Sequence, residues 1–168
     1  MTMGIWGFRG RRALLRMRRA DWDAMLAELS RRGHGQIESG AFLLARRPGD
    51  SRRVTRVVYY DDLDPDCLVG GIHFHGLAYG KLWALCRSDR LTVVGDVHTH
   101  PSGRVQQSDI DKGSPMVAQE GHVAVIVPHF AQRRTDPAHV GVHVYDGQGW
   151  TTWTGRDAAA RLFVRRFV

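Results

Sequence analysis

Residues 97–111 read Val-His-Thr-His-Pro-Ser-Gly-Arg-Val-Gln-Gln-Ser-Asp-Ile-Asp and follow an apolar run that begins at Leu91. If this run forms a β-strand, its two-residue period places His98 and His100 on one face, where their imidazoles converge. Pro101 lacks a backbone N–H and ends the strand, and a carboxylate follows at Asp111. Two imidazoles and one carboxylate are ligand types of catalytic zinc, with a fourth position left for water. The stretch therefore predicts a hydrolytic metal site made of His98, His100 and Asp111.

Each part of this pattern also has a purely structural explanation. A His-x-His pair on a strand is often incidental, because single motif matches carry false positives. Ser108, followed three residues later by Asp111, also matches a capping box that satisfies the first turn of a helix. Asp109 is not expected to be a ligand, because one helical residue turns it away from Asp111. It is the combination of these parts in one order that favours a functional interpretation.

The whole span resembles the signature of the JAMM (MPN+) zinc metalloproteases. The match consists of His98-Thr99-His100-Pro101, seven residues between His100 and Ser108, and two residues between Ser108 and Asp111. The family also carries a glutamate upstream on the first core strand. Glu38 fits that position in Gln36-Ile37-Glu38-Ser39-Gly40-Ala41-Phe42-Leu43-Leu44. All five functional positions of the signature are therefore matched in order.

The resemblance implies a role for each matched residue. A zinc ion held by His98, His100 and Asp111 lowers the pKa of its water toward neutrality and polarises a substrate carbonyl. Glu38 takes the proton from that water and passes it to the leaving amine. Ser108 donates its hydroxyl to the oxyanion of the tetrahedral intermediate. The same ligand set also accepts other divalent ions, so the ligands alone do not select zinc.

The resemblance also implies the fold and the substrate. The fold is α/β, an α+β sandwich of the JAMM/cytidine-deaminase-like type, with a curved mixed β-sheet flanked by helices. Active members of the family cleave isopeptide or peptide bonds after the C-terminal glycine of ubiquitin-like proteins, and they bind the extended tail by strand addition. The expected function is therefore deconjugation or precursor maturation of a ubiquitin-like protein by a zinc isopeptidase.

Three segments, 96–101, 114–118 and 121–128, resemble bacterial stand-alone members of the family. Those proteins lie beside E1-like, E2-like and ubiquitin-like proteins in antiphage cassettes, so E1-like and E2-like partners are expected here. Eukaryotic deubiquitinases carry a ubiquitin-gripping insertion between the positions of Asp111 and His122, where this chain has little sequence. Selectivity for one type of ubiquitin chain is therefore not expected.

Three alternatives stay open from the sequence. The first concerns the substrate, which is either a ubiquitin-like protein or, alternatively, a sulfur carrier of the ThiS/MoaD type with the same β-grasp fold or a small C-terminal adduct. A RadC-like, DNA-associated protein is the second alternative, because that group also reads His-x-His-Pro-Ser-Gly and this chain is basic. The lack of a helix-hairpin-helix segment and the presence of Glu38 argue against it. A catalytically inactive scaffold is disfavoured because all five site residues are present.

The composition predicts one domain, residues 1–168, with 43% hydrophobic residues to build a core. The chain has no apolar run of about 18 residues and no signal peptide, so a cytoplasmic location without membrane contact is expected. Cys67 and Cys86 are too few for a disulfide framework and are expected to be reduced and buried. The net charge of +7 comes mostly from arginines scattered along the chain, which favours a solvated surface over nucleic-acid binding.

Several segments outside the motif have predicted roles. Residues 1–20 form a basic arm that alternates like a strand at a sheet edge. A helix is expected to have Asp21 as N-cap and to end at Gly33. The acidic segment 61–66 lacks the glycine and the bidentate acid of a calcium loop, so a solvated loop is expected. A second His-x-His pair, His73 and His75, has no following proline and is expected on a strand or at the rim of the cleft.

The remaining elements follow from periodicity and turn residues. We expect strands at 37–45, 54–60, 91–98, 122–127, 140–145 and 150–153. We expect helices at 76–89, 108–119 and 156–168, of which the last closes the domain.

Overall fold

The computed structural model describes residues 13–166 of the chain. Arg9, Arg11 and Arg12 of the predicted basic arm lie outside the described residues. The strands are β1 (Leu15–Arg18), β2 (Gly40–Arg46), β3 (Arg56–Tyr59), β4 (Leu91–Thr99), β5 (Val123–Val127), β6 (Gly141–Tyr145), β7 (Trp150–Trp153) and β8 (Leu162–Arg165). The helices are α1 (Arg19–Arg32), α2 (Tyr60–Leu63), α3 (Gly76–Ser88), α4 (Asp109–Gly113) and α5 (Gly155–Arg161).

Six strands form one mixed sheet in the order β3-β2-β4-β5-β6-β7. Only the β4–β5 pairing within it is parallel, and the four other pairings are antiparallel. β4 lies inside the sheet, hydrogen-bonded to β2 on one side and to β5 on the other. The predicted α/β class, with a mixed sheet flanked by helices, is confirmed. The apolar run that begins at Leu91 forms β4. This strand ends at Thr99, two residues before Pro101, as predicted.

Both faces of the sheet are buried, which explains why β2 is apolar at successive positions. Ala41 and Leu43 belong to the core beneath α1, whereas Phe42 and Leu44 belong to the core beneath α3. This alternation is the two-residue period of a strand with a hydrophobic layer on each side. From α1 the residues Trp22, Met25, Leu26 and Leu29 enter the first core, as their helical spacing predicts.

The start of α1 differs from the prediction. The helix begins at Arg19 with Arg18 as its N-cap, so Asp21 is in the first turn and not at the cap. Asp21 accepts two hydrogen bonds from the Arg18 guanidinium, at 2.7 and 2.8 Å, instead of capping a backbone N–H. A carboxylate in the first turn still interacts favourably with the helix dipole. Gly33 ends the helix as predicted.

Two predicted helices are shorter than periodicity indicates. α4 ends at Gly113 and not near Gln119, because the following Ser114 precedes Pro115 and is disfavoured in a helical conformation. The predicted C-terminal helix 156–168 ends at Arg161, and the chain continues as β8. β8 pairs in parallel with β1 in a separate two-stranded sheet, so the basic strand pairs there and not at an edge of the main sheet.

The acidic segment is partly helical, not a simple solvated loop. Tyr60–Leu63 form α2, and both Asp61 and Asp62 accept a hydrogen bond from Arg32 at 2.7 Å. The segment therefore ties α1 to the second core through charge pairs.

The two cysteines are buried, as the composition predicts. Cys67 and Cys86 are buried free cysteines. Across residues 13–166, no helix is long and apolar enough to cross a membrane.

Ser39 and Gly40 fix the entry of β2 into the sheet. The Ser39 hydroxyl donates to the carbonyl of Leu29 at 2.8 Å, and the Ser39 N–H donates to the Thr99 hydroxyl at 3.0 Å. Gly40 lies directly opposite His98 in the β2–β4 pairing. The Tyr60 ring packs so closely over Gly40 that any side chain there would overlap it.

We predict that Gly40→Ala lowers the free energy of unfolding by about 1–3 kcal/mol, because a Cβ would overlap both the Tyr60 ring and the Val97 carbonyl. The matched control is Gly80→Ala in α3, where a Cβ meets nothing within 4 Å. That change should raise the free energy of unfolding by about 0.5–1 kcal/mol, because alanine favours a helix over glycine. Urea denaturation of the two variants measures both effects, and equal stabilities would contradict the close packing at Gly40.

Candidate metal centre

His98, His100 and Asp111 meet at the end of β4. The Nε2 atoms of the two imidazoles are 3.2 Å apart. The Asp111 carboxylate lies 3.7 Å from His98 Nε2 and 3.5 Å from His100 Nε2. One ligand atom from each residue lies within 4.8 Å of the other two. The predicted convergence is confirmed, and the three side chains can share one cation.

The other ring nitrogen of each histidine faces an acceptor. Nδ1 of His100 lies 3.1 Å from the carbonyl of Arg104, so it carries the proton and leaves Nε2 as the free lone pair. Nδ1 of His98 faces Asp96 at 3.8 Å. An acceptor behind each imidazole, with Nε2 forward, is the usual arrangement of histidines that bind a metal. The side chains therefore fit a metal in donor type, orientation and spacing.

Asp111 is held by the same capping box that offered a structural explanation of the motif. The Ser108 N–H donates to Asp111 Oδ2 at 2.7 Å, and the Asp111 N–H donates to Ser108 Oγ at 3.1 Å. Ser108 Oγ accepts in this contact, so its own proton stays free to donate elsewhere. The capping box is therefore compatible with a role of Asp111 as a metal ligand. Asp109, next to Asp111, is fully exposed and turned away, as predicted.

The charges of the site are strongly coupled. Although burial opposes its ionisation, the neighbouring imidazoles of His100 and His98 hold the pKa of Asp111 well below its ordinary value. Burial also disfavours the charged form of His98, but Asp111 and Asp96 raise its pKa to about 9. Without a metal, the cluster therefore keeps a proton on His98 at neutral pH. A metal must displace that proton, because a ligating imidazole is neutral.

Asp96 is a site residue that the sequence prediction missed. Its side chain is 3% exposed, and it accepts hydrogen bonds from the Tyr60 hydroxyl at 3.1 Å and from His122 Nε2 at 2.5 Å. Burial disfavours its ionisation, but His122 and His98 lower its pKa to about 2. A charged residue in the middle of the apolar strand β4 was the available signal. Asp96 is an anion that faces the back of His98.

Glu38 and Ser108 line the same cleft as His98 and Asp111. Glu38 precedes β2, since that strand begins at Gly40 and not at Ile37 as predicted. The Thr99 N–H donates to the Ser39 carbonyl at 2.9 Å, so the pairing continues beyond Gly40 and brings Glu38 alongside His100. The cleft measures about 470 Å³, a volume typical of ligand sites.

The second His-x-His pair also lines this cleft. His73 and His75 line it from the segment before α3, which is not a strand. Within residues 13–166 the potential metal-binding group consists of His98, His100 and Asp111, without either of these histidines. Of the two positions predicted for this pair, on a strand or at the rim of the cleft, the structure shows the second.

The loop between His100 and Ser108 is anchored from two sides. His143 donates from Nε2 to the carbonyl of Val105 at 3.0 Å, and its Nδ1 lies 2.8 Å from the Thr152 hydroxyl. The amides of His129 and Phe130 donate to the carbonyls of Ser102 and His100, at 3.0 and 2.8 Å. Residues 129–131 all have positive φ angles, an unfavourable conformation for non-glycine residues. The segment that hydrogen-bonds this loop therefore contains three residues with a strained backbone.

No family model matches the chain. The solution structure of protein DSY2949 from Desulfitobacterium hafniense is similar, with a TM-score of 0.61 and 20% sequence identity over 89% of this chain and 92% of that chain. The crystal structure of AF2198, a JAB1/MPN domain protein from Archaeoglobus fulgidus, has a TM-score of 0.46 and 18% identity over 80% of this chain and 90% of that chain. The likeness to DSY2949 shows a fold shared along most of both chains.

We predict that Asp96→Asn weakens metal binding by about 10- to 100-fold, because an amide no longer provides a negative charge behind His98. The variant should stay folded, since asparagine keeps the shape of the side chain and an acceptor for Tyr60. Competition with a chelator of known affinity measures the effect. Asp109→Asn, on the exposed neighbour of Asp111, is the control and should bind metal as the wild type does. Equal affinities of the two variants would exclude a role for Asp96.

We also predict that the metal-free protein loses stability between about pH 6.5 and 4 because of His143. Burial lowers the pKa of His143 to about 4, whereas an unfolded histidine titrates near 6.5. The unfolded state therefore binds the proton first as the pH falls. The stabilisation, roughly 3 kcal/mol, is complete above pH 6.5 and is lost toward pH 4.

Urea denaturation of the metal-free protein at pH 7 and pH 4.5 tests this dependence. His143→Gln keeps a donor for the Val105 carbonyl but does not titrate, so its stability should change less between the two pH values. An identical change in both proteins would assign the pH dependence to other groups.

Proposed function

We propose that this protein is a zinc-dependent isopeptidase or peptidase of the JAMM type, which cleaves after the C-terminal glycine of a ubiquitin-like protein. One observation carries the proposal: the ligand atoms of His98, His100 and Asp111 converge, and His98 and Asp111 line a cleft together with Glu38 and Ser108. The five residues of the sequence motif come from three separate segments of the chain. The convergence of these three segments at one cleft supports a catalytic role for the motif as a whole.

The three ligands leave room for water and substrate, as catalytic zinc sites require. When bound, zinc supplies a Lewis acid for the scissile carbonyl and makes a water acidic enough to attack at neutral pH. The chain's own residues do the rest of the chemistry. Asp96 and the Arg104 carbonyl orient the two imidazoles, so that both Nε2 atoms face the same point.

Glu38 and Ser108 have complementary tasks in the proposed reaction. The Glu38 carboxylate accepts a proton from the attacking water and later delivers it to the nitrogen of the leaving amine. The Ser108 hydroxyl donates to the oxygen of the scissile carbonyl as negative charge develops there. Ser108 is suited to this because the capping contact uses its lone pair and not its proton. The rigid capping box keeps this donor in place without the substrate.

The form of the cleft supports an extended peptide as substrate. The cleft is lined by residues from two segments that are distant in the sequence, 70–75 and 107–116. Ile110, which lines the cleft, is 79% exposed, and Leu77, two residues after the segment 70–75, is 88% exposed. Exposed apolar side chains beside a cleft are typical of protein-binding surfaces. A ubiquitin-like protein from a conjugation system, with E1-like and E2-like partners in the cytoplasm, is the proposed source of the tail.

We predict that Glu38→Gln abolishes cleavage, with a loss of at least about 100-fold, while zinc still binds, because Glu38 acts on the water and not on the metal. The test substrate is a ubiquitin-like protein whose terminal Gly-Gly is joined through an amide to a reporter. Metal content is measured on the same preparations. His98→Ala is the complementary variant and should lose both zinc and cleavage.

The outcomes separate the site from the substrate. Residual activity of Glu38→Gln near the wild-type level would exclude Glu38 as the base. Wild-type protein that binds zinc but does not cleave would refute the ubiquitin-like substrate. Sulfur-carrier fusions would then be assayed next, followed by salt-dependent binding to DNA of random sequence.

A further inference from the structure

Gln107 is a buried residue of the cleft whose side chain lacks a hydrogen-bond partner for its oxygen. The residue is 3% exposed and lines the cleft directly before Ser108. In the described part of the chain, two buried side-chain polar atoms have no partner, Gln107 Oε1 and Arg19 Nη2. The Arg19 guanidinium forms ion pairs through its other two nitrogens, Nε with Asp23 and Nη1 with Asp136, so its charge is compensated. Gln107 has no such explanation.

A buried oxygen without a donor is costly for the folded protein, because the group gives up water and gains nothing in return. The backbone around Gln107 is well held: His143 binds the carbonyl of Val105 on one side, and the Ser108 capping box follows on the other. Gln107 takes part in neither contact. The fold therefore places the Gln107 amide at the cleft, and no protein group donates a hydrogen bond to its oxygen.

We propose that Gln107 positions the substrate: when a peptide binds, the Gln107 amide turns into the cleft, and its Oε1 accepts a main-chain N–H of the peptide segment that lies there. This inference rests on the proposed function and adds a residue that the motif does not contain. Ser108 is assigned to the scissile carbonyl, and Gln107 is its neighbour in the chain and in the cleft. Its amide therefore serves a peptide unit beside the scissile bond. An extended peptide has main-chain N–H groups beside the scissile bond whatever its side chains are. A hydrogen bond from one of them to Gln107 therefore also suits a tail of small residues.

The test uses Gln107→Met, which keeps the length of the side chain and removes the amide. Gln106→Met is the matched control, because Gln106 is the exposed neighbour on the same loop. Both are made in the zinc-loaded Glu38→Gln protein, so that binding is measured without cleavage. The probe is a fluorescent peptide with the Gly-Gly terminus of a ubiquitin-like tail, followed by anisotropy. Gln107→Met should bind it about 5- to 10-fold more weakly, and Gln106→Met should bind it as the parent does.

An ester scan of the peptide identifies the contact itself. Each backbone N–H of the last four residues is replaced in turn by an ester oxygen. One replacement should weaken binding to the parent about 5- to 10-fold and should have no such effect on Gln107→Met. A side chain with a merely structural role would not produce this coupling. Zinc content and the unfolding midpoint complete the comparison, and Gln107→Met should unfold at or above the midpoint of the parent.

Three results would overturn the assignment, and they differ in what else they refute. If both methionine variants bind alike and the ester scan is unchanged, Gln107 does not contact the substrate, although the proposed function stands. If Gln107→Met unfolds at a markedly lower midpoint, the amide is structural. If the zinc-loaded parent does not bind the peptide, the ubiquitin-like tail is the wrong ligand, and the inference fails together with the proposed function.

Discussion

The pairing register of β2 with β4 is the constraint on which the candidate site depends. With Gly40 opposite His98, the two strands bring Glu38 alongside His100 and turn the site residues to the face beneath α3. A shift of one residue would turn these side chains to the other face. Ser39 and Thr99 fix the register through hydrogen bonds between the strands, and Gly40 leaves the space that Tyr60 fills. The small pair after Glu38 is thus a packing requirement of the candidate site.

Local patterns predict much of this site because its parts are made by short-range rules. The two-residue period of β4 places His98 and His100 on one face, and the three-residue spacing of Ser108 and Asp111 forms the capping box. Contacts between residues that are distant in the sequence determine the elements that local patterns do not predict. Residues 162–165 become a strand because β1 offers a parallel partner, a contact between the two ends of the described chain. Periodicity within the segment alone favours a helix there, and that prediction is wrong for this reason.

Asp96 and Gln107 show a second limit of sequence patterns. Asp96 becomes a site residue through Tyr60 and His122, which are distant in sequence and reach it only in the folded sheet. A single aspartate within an apolar strand signals that some partner exists, but the sequence does not identify it. Gln107 carries no signal at all, because a glutamine in a polar loop is ordinary. What makes it notable is the lack of a partner in a buried position, and only the structure reveals that.

The charges around His98 explain why the fold and the cation are linked. Two carboxylates, Asp96 and Asp111, lie on either side of the buried imidazole of His98. Buried charges are tolerated when they are paired, and in the metal-free protein the proton on His98 provides the compensating positive charge. A divalent cation held by His98, His100 and Asp111 would take over that task beside Asp111, while His122 continues to pair with Asp96. Because the unfolded chain does not hold the three ligands together, the free energy of metal binding adds to the free energy of folding. The same arrangement that would activate a water would therefore also stabilise the end of β4, where the cleft begins.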